Sequence, residues 1–346
     1  MSGVRRRRPG RVGGVARPAR SRLIEFRRRP AVPEEPWVPE PPGTGWAMLA
    51  CPHCSESRPL ARAGRRLRCP AGHAFDLARQ GYASLLSGRG RHGLTADGAR
   101  MVGARAEVQG DGVYVPIRDG VIEAVTRVAS SGLPPGGLLD VGGGTGYYAN
   151  AVLDALAHLG EEDVAPATPP HGVTFDLSSY AARRAAKAHP GLVSVVADVR
   201  ERFPILDHSV AVALVVFAPR NPVEMARVLA PGGVAVVVTP LPNHLAELGA
   251  DMIAIDPHKQ ERLDRQFDGF DLVGEQEVEA RVPVTARQAA AIIGMGPSAH
   301  HTSAEIAELA DTAEAPWAAE TRDITLAVRV ATYRPAGDGP QMPSIG

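Results

Sequence analysis

Between residues 138 and 239 the chain alternates short β-branched runs with helix-forming segments. The runs are LLDV (138–141), GVTFD (172–176), SVVAD (194–198), VAVALVVF (210–217) and VAVVVT (234–239), with helices expected near 149–159, 179–188 and 221–229. Strands that are apolar throughout and separated by helices need cover on both faces, so the expected class is α/β with a mostly parallel sheet. The helix after the first run places Ala149, Val152, Leu153 and Leu156 at i, i+3, i+4 and i+7, which is one buried stripe. In ITLAVRVATY (324–333) the residues Ile324, Leu326, Val328 and Val330 fall on one face, which predicts a half-covered strand at a sheet edge. No apolar run approaches the ~20 residues of a spanning helix, so an integral membrane protein is not expected.

Around this region the composition changes, and it divides the chain. Residues 1–46 are rich in Arg, Pro and Gly without an apolar period and are expected to be disordered. Three readings compete for them: an RNA-tethering arm, a transit-like segment, or a translated leader, the last favoured because Met48 lies three residues before Cys51. A cysteine-bearing unit follows at 47–90, then a helical linker at 91–133. The α/β unit occupies 134–334, with a long surface loop at 158–171, and a loose tail runs over 335–346. The formal charge of zero hides an asymmetry: residues 1–30 carry eleven arginines against Glu25 alone, residues 47–110 ten arginines against four acids, and residues 111–346 seventeen bases against thirty acids. A basic front on an acidic back suits a polyanion held by one module while the other performs chemistry.

All three cysteines lie between 51 and 69, too few and too close for a disulfide framework, and a reducing cytoplasmic compartment is expected. Their spacing is Cys51-x2-Cys54, fourteen residues, then Cys69-x3-His73, two turns that can close a tetrahedral zinc site with four protein ligands. Such a closed site is structural. His53 reads as an exposed bystander. The arginines around the site (Arg58, Arg62, Arg65, Arg66, Arg68, Arg79, Arg89 and Arg91) suit phosphate contact better than a merely solvated face.

After the first strand comes D-V-G-G-G-T-G-Y, from Asp140 to Tyr147. Its glycines (Gly142, Gly144, Gly146) let the backbone approach a ligand at the carboxyl end of the sheet. The dinucleotide fingerprint would need a third glycine at 147, which is Tyr147, so that reading fails. An acid at 140 suits a cofactor that is cationic there. The pattern resembles the first motif of class I methyltransferases that use S-adenosylmethionine (SAM). That resemblance implies a Rossmann-like, mostly parallel seven-stranded sheet, ribose hydroxyls on Asp176, the adenine amino group on Asp198, and Val199 flanking the ring.

From Cys51 to about Arg334 the chain resembles one family, the large-subunit (23S) rRNA (guanine-N1)-methyltransferases, which include macrolide-resistance enzymes of actinomycetes. The motifs that carry this are C-P-H-C with C-P-A-G-H, HAFDLARQGYASLL (73–86), Asp97 with Met101 and Arg105, Tyr114 before Pro116, VFAPRNP (216–222), Thr239-Pro with HLAEL (244–248), and MGPS (295–298). The glycine loop and FAPRNP look more like the resistance-type branch. The resemblance implies structural zinc on Cys51, Cys54, Cys69 and His73 in a small zinc-ribbon-like N-terminal domain. It implies SAM contacts from Tyr114, Gly146, Tyr147 and His244, a 23S rRNA hairpin near the peptide exit tunnel as partner, and a homodimer.

Methyl transfer to guanine N1 needs the base aligned, its N1 proton removed and charge on O6 met. Phe217 is a candidate to stack on the base, against a plain core role, and Arg220 is a candidate for O6 or a phosphate. His244 is a candidate for proton handling or for the methionine end of SAM. Two rival classes stay open: a small-molecule methyltransferase with an incidental zinc knob, and a non-catalytic RNA-binding protein, against which the intact loop and both strand-end acids speak.

Overall fold

The computed structural model describes residues 37–87, 96–159, 168–251, 266–296 and 321–337. Three short strands, β1 (Ala61–Ala63), β2 (Arg66–Arg68) and β3 (Ala74–Asp76), form an antiparallel sheet that carries the cysteine turns. Eight strands form the main sheet: β4 (Ala83–Ser84), β5 (Gly137–Val141), β6 (Gly172–Asp176), β7 (Leu192–Val196), β8 (Val210–Val216), β9 (Leu229–Pro240), β10 (Phe270–Thr285) and β11 (Thr321–Pro335). They lie side by side in the order β10-β11-β9-β8-β5-β6-β7-β4. From β9 to β4 all neighbours are parallel, and β11 and β10 run antiparallel.

The helices are α1 (Ala99–Gly110), α2 (Val115–Ser130), α3 (Tyr147–Leu159), α4 (Ser179–Ala185), α5 (Pro222–Val228) and α6 (Ala286–Met295). Ser178 caps α4 by accepting from Ala181 N–H at 3.3 Å, and Asn221 caps α5 by accepting from Glu224 N–H at 3.3 Å. One face of the sheet packs Val212, Leu214, Val236 and Val328 against Val121 and Val125 of α2 and Val152 and Leu153 of α3. The other buries Leu139, Phe175 and Val215 with Phe203, Ile205 and Met225. Full burial of such side chains stabilises by roughly 1.5–3 kcal/mol each. No helix among the described residues is long and apolar enough to cross a membrane.

The strand order reverses between β5 and β8, and that crevice at the carboxyl ends is where an open α/β sheet binds its ligand. This is the class I methyltransferase topology, with an eighth strand added to the seven expected. The addition, β4, is two residues from the end of the cysteine-bearing unit, pairing Ala83 with Val195 and Ser84 with Val196.

Some expectations change. β11 is interior and not a sheet edge: its two faces are both buried from Ile324 to Tyr333, because β10 pairs outside it along its whole length. The edge strand β10 exposes Glu275, Glu277, Glu279 and Arg281 on alternate positions, and this charged alternation hid it from a search for apolar runs. The third strand ends at Val196, two residues before Asp198. Residues 37–46 are not loose: the Trp37 indole donates to Arg68 O at 3.0 Å, and Glu40 accepts from Arg62 N–H at 2.6 Å. The remainder of the 1–46 extension, most of the 158–171 loop and most of the tail lie outside the described residues.

Candidate functional site

The three thiols and His73 converge as their spacing predicts. Their ligand atoms all lie within 4.8 Å of one another, with His73 Nδ1 at 3.5, 3.4 and 3.5 Å from Cys51, Cys54 and Cys69 Sγ and the Cys54–Cys69 pair at 3.9 Å. A zinc tetrahedron with Zn–S of about 2.3 Å and Zn–N of about 2.0 Å has edges of roughly 3.5–3.8 Å, so the set fits the ion. Burial pushes the Cys51 thiol up to about 12. At Cys69 burial is outweighed by hydrogen bonds from His73 and Ala71, which draw it down to about 7. A divalent cation would hold all three as thiolates. His53 is exposed and stacks on Phe75 at 5.3 Å, outside the ligand set.

The zinc module is clamped to the main sheet. Leu49 bridges Ile205, Ala50 N–H donates to Pro204 O at 2.9 Å, and Leu85 N–H donates to Val196 O at 2.8 Å. Its outer surface exposes Arg58, Arg62, Arg65, Arg66 and Arg79. Arg62 lies over the Trp46 ring at 5.3 Å, and Trp37 is nearby in sequence and exposed. Arg89 and Arg91 lie outside the described residues.

At the reversal point the glycine loop crosses above Asp140. A Cβ on Gly143 would stand 2.0 Å from Asp140 Oδ2, so only glycine lets the loop pass over this carboxylate. Asp140 is 1% exposed, accepts from Thr174 Oγ1 at 3.4 Å, and leaves Oδ1 without a partner. Burial raises it to about 7, and a cation beside it would favour the carboxylate form. Tyr147, at the start of α3, turns its hydroxyl to the Arg118 guanidinium. Asp176 accepts from Gly144 N–H at 3.1 Å and Ser178 N–H at 2.7 Å, while burial raises its affinity for a proton. Asp198 is turned to Arg200, whose Nε lies at 3.1 Å. Val199 lies 3.8 Å from a Cβ on Gly142, Ala218 only 2.7 Å from it, and Gly146 closes the turn with a positive φ of 78°. The unpartnered Asp140 Oδ1 beneath the glycine loop fits the ammonium of an amino-acid-bearing cofactor such as SAM.

Phe217 follows β8 with φ of 55°, a left-handed conformation that costs a non-glycine residue of the order of 1 kcal/mol. The plain core role fails here, because Phe217 is 40% exposed. Its ring lies 5.6 Å from His244 and edge-on to Tyr114 at 6.5 Å. His244 Nδ1 accepts from Ala327 N–H at 3.1 Å, which leaves the proton of the neutral ring on Nε2, and burial lowers the imidazole to about 4. It is therefore a neutral hydrogen-bond donor. Arg220 does not join the three rings: its Nε is buried without a partner, and its charge interacts with Tyr333, in the core on the opposite face of the sheet. Two side chains at the loop had no assigned role in the sequence, Arg105 and Tyr148. The only signal for them was the Asp97–Arg105 motif and a second tyrosine after the loop.

Residues 49–92 match the family model described as RlmA, N-terminal. The chain is 40% identical over 291 residues to the 23S rRNA (guanine(748)-N(1))-methyltransferase of Streptomyces fradiae, covering 83% of this chain and 96% of that protein. It is 39% identical to a protein of Micromonospora griseorubida assigned provisionally as a 23S rRNA (guanine-N(1)-)-methyltransferase, covering 83% and 97%. A solved SAM-dependent methyltransferase from Geobacter sulfurreducens, in complex with S-adenosyl-L-homocysteine, is 16% identical with a TM-score of 0.34 and covers 61% of this chain and 89% of that one. With 40% identity to a relative of which it covers 96%, this chain belongs to the 23S rRNA (guanine-N1)-methyltransferase family.

Proposed function

We propose that this protein transfers the methyl group of SAM to N1 of a guanine in 23S rRNA, with the base stacked on Phe217. The observation that carries the reading is the exposed, left-handed Phe217 beside Ala218, which packs against Gly142 of the glycine loop. SAM supplies an electrophilic methyl carbon when bound, and this chain's residues align the base behind it and exclude water. Asp140 faces the ammonium of the methionine end, Tyr147 and Gly146 line it, Asp176 takes the ribose hydroxyls, and Asp198 with Val199 holds the adenine. His244 donates through Nε2–H to the methionine end, since a ring already accepting at Nδ1 and lowered to about 4 does not take up the guanine N1 proton. That proton passes to solvent as the N1–methyl bond forms and S-adenosylhomocysteine leaves. Arg220 is left for a phosphate on the approaching strand.

The substrate region is a hairpin near the peptide exit tunnel, presented with unstacked bases. The zinc module over 47–90, with Arg62 on Trp46 and its other exposed arginines, grips phosphates, the 91–133 helices carry the chain on to the methyltransferase domain at 134–334, and two modules in a homodimer form the cleft. The enzyme works in the cytoplasm, where this rRNA is made, and the modification confers macrolide resistance. To test this, the protein is incubated with labelled SAM and unmodified large-subunit rRNA. N1-methylguanine in the digest and one reverse-transcription stop in that hairpin support the reading, whereas label on small molecules alone, or none, removes it. Sedimentation of an active monomer would remove the dimer, and unchanged macrolide sensitivity of an expressing host would remove the resistance role.

A further inference from the structure

Around the glycine loop, Asp140 Oδ1 and Tyr148 OH are buried without a hydrogen-bond partner among the described residues. Asp140 offers an acceptor that suits an ammonium and repels a carboxylate. An amino-acid end also carries a carboxylate, which needs donors, and two groups beside the loop have donors to spare. Tyr148 is buried, and its hydroxyl lies close enough to Tyr114, Asp140 and Arg105 to feel their charge. Arg105, on α1, uses Nη2 alone among its nitrogens, donating to Asp97 Oδ2 at 2.6 Å and Met295 O at 2.8 Å. Its Nη1 lies 3.2 Å from where a Cβ on Gly144 would stand, so the guanidinium rests on the loop itself.

The placement of Arg105 is secured from both sides. Thr145 Oγ1 donates to Gln109 Oε1 at 2.6 Å and Ser178 Oγ donates to Asp97 O at 2.6 Å, which fasten α1 over the loop and beside the ribose acid. Arg287 to Glu107 at 2.7 Å and Gln288 to Asp111 at 2.9 Å join α1 to α6. The helix thus holds a cation against the glycine loop, with Nη1 making no hydrogen bond among the described residues and its charge reaching the buried Tyr148 hydroxyl.

We propose that Arg105 and Tyr148 bind the carboxylate of SAM's methionine end, making them cofactor-binding residues that complement Asp140 at the ammonium. This rests on the reading of the cleft as the SAM site. Two probes separate the ends of the ligand: S-adenosylhomocysteine keeps the amino acid, and 5′-methylthioadenosine keeps adenine, ribose and thioether without it. Calorimetry on the full chain should show Arg105→Ala weakening S-adenosylhomocysteine about 10- to 100-fold, as loss of a charged hydrogen bond implies, with methylthioadenosine unchanged. Arg105→Lys should recover part of the loss. Tyr148→Phe should weaken S-adenosylhomocysteine about 10-fold and leave the melting temperature of the ligand-free protein undiminished, because its hydroxyl has no protein partner to lose.

Equal losses for both probes would show that Arg105 only props the loop, and unaltered S-adenosylhomocysteine binding would show that neither residue reads the carboxylate; either overturns the proposal. Should Arg105→Ala fail to fold, the Tyr148→Phe pair of titrations decides it. A wild type that bound neither probe would remove this proposal together with the SAM site, whereas selective binding without rRNA methylation would remove the rRNA reading alone.

Discussion

Around Cys51, Cys54, Cys69 and His73 the polar atoms face one another, whereas at the glycine loop Asp140 Oδ1 and Tyr148 OH are buried without a partner among the described residues. The first set is complete with one ion, and its chemistry is used up in holding three short strands together. The second has the unpartnered oxygens that a ligand site would show. The difference separates structural from functional burial: a closed set stabilises the fold, and an open one costs stability until something binds. The strongest way to test the division is to remove the ion. Cys69→Ser, or zinc chelation, should abolish rRNA methylation by more than about 100-fold, because binding of a structural zinc contributes on the order of 10 kcal/mol to folding its module. Hydrogen exchange should rise throughout 49–85 while amides of β5 and β8 stay protected. Equal loss in both would make the clamped modules one cooperative unit.

Phe217 tests the same division at the mouth of the cleft. Its ring is exposed and its backbone is left-handed, so Phe217→Gly should relieve about 1 kcal/mol of strain and raise the melting temperature, while kcat/KM on rRNA falls roughly 10- to 100-fold. S-adenosylhomocysteine affinity should hold. A variant that is less stable and equally active would make Phe217 a packing residue after all.

How much of this was legible in the sequence depends on which kind of burial a residue serves. The zinc ligands could be read from spacing alone, because a tetrahedron accepts few arrangements of two short turns. The parallel strands could be read from apolar runs, and their order follows the resemblance. β10 could not, since its residues Glu275 to Arg281 look like a solvated loop until β11 is placed beside them. Arg220 and Phe217 sit three residues apart in one motif, yet the turn after β8 sends them to different faces, and no pattern in one dimension carries that turn. Tyr148 was missed because its hydroxyl stands out only by lacking a partner, and Arg105 because its place against the loop depends on how α1 folds over Gly144.

Asp140 should show the cost of leaving a set open. The unfolded carboxyl ionises near ~3.9 and the buried one near about 7, so its contribution to stability is complete only below the unfolded value and is lost as pH rises through 7. Asp140→Asn should therefore raise the ligand-free melting temperature at pH 8, with little change at pH 4, and weaken S-adenosylhomocysteine about 10-fold. Thermal scans at the two pH values check the first part and calorimetry the second. A variant destabilised at pH 8 would mean the carboxylate is already satisfied in the free protein.

The smallest effect belongs to His244, which lies between the two kinds of burial: Nδ1 is satisfied by Ala327 N–H, and the ring lies 5.6 Å from the exposed Phe217. Its imidazole protonates near ~6.5 in the unfolded chain and near about 4 in the fold. It therefore favours folding fully above 6.5 and loses that contribution as pH falls towards 4. Over the range where the enzyme is folded the ring stays a neutral donor, so the pH profile of kcat/KM should show no break near 6.5 assignable to it. His244→Gln presents an amide N–H near the place of Nε2–H and should keep activity within about 10-fold of wild type, since it retains one neutral hydrogen bond, whereas His244→Ala should lose more. If the wild-type profile instead breaks near 6.5 and Gln is as inactive as Ala, the ring moves a proton, and the hydrogen bond from Ala327 must open during turnover.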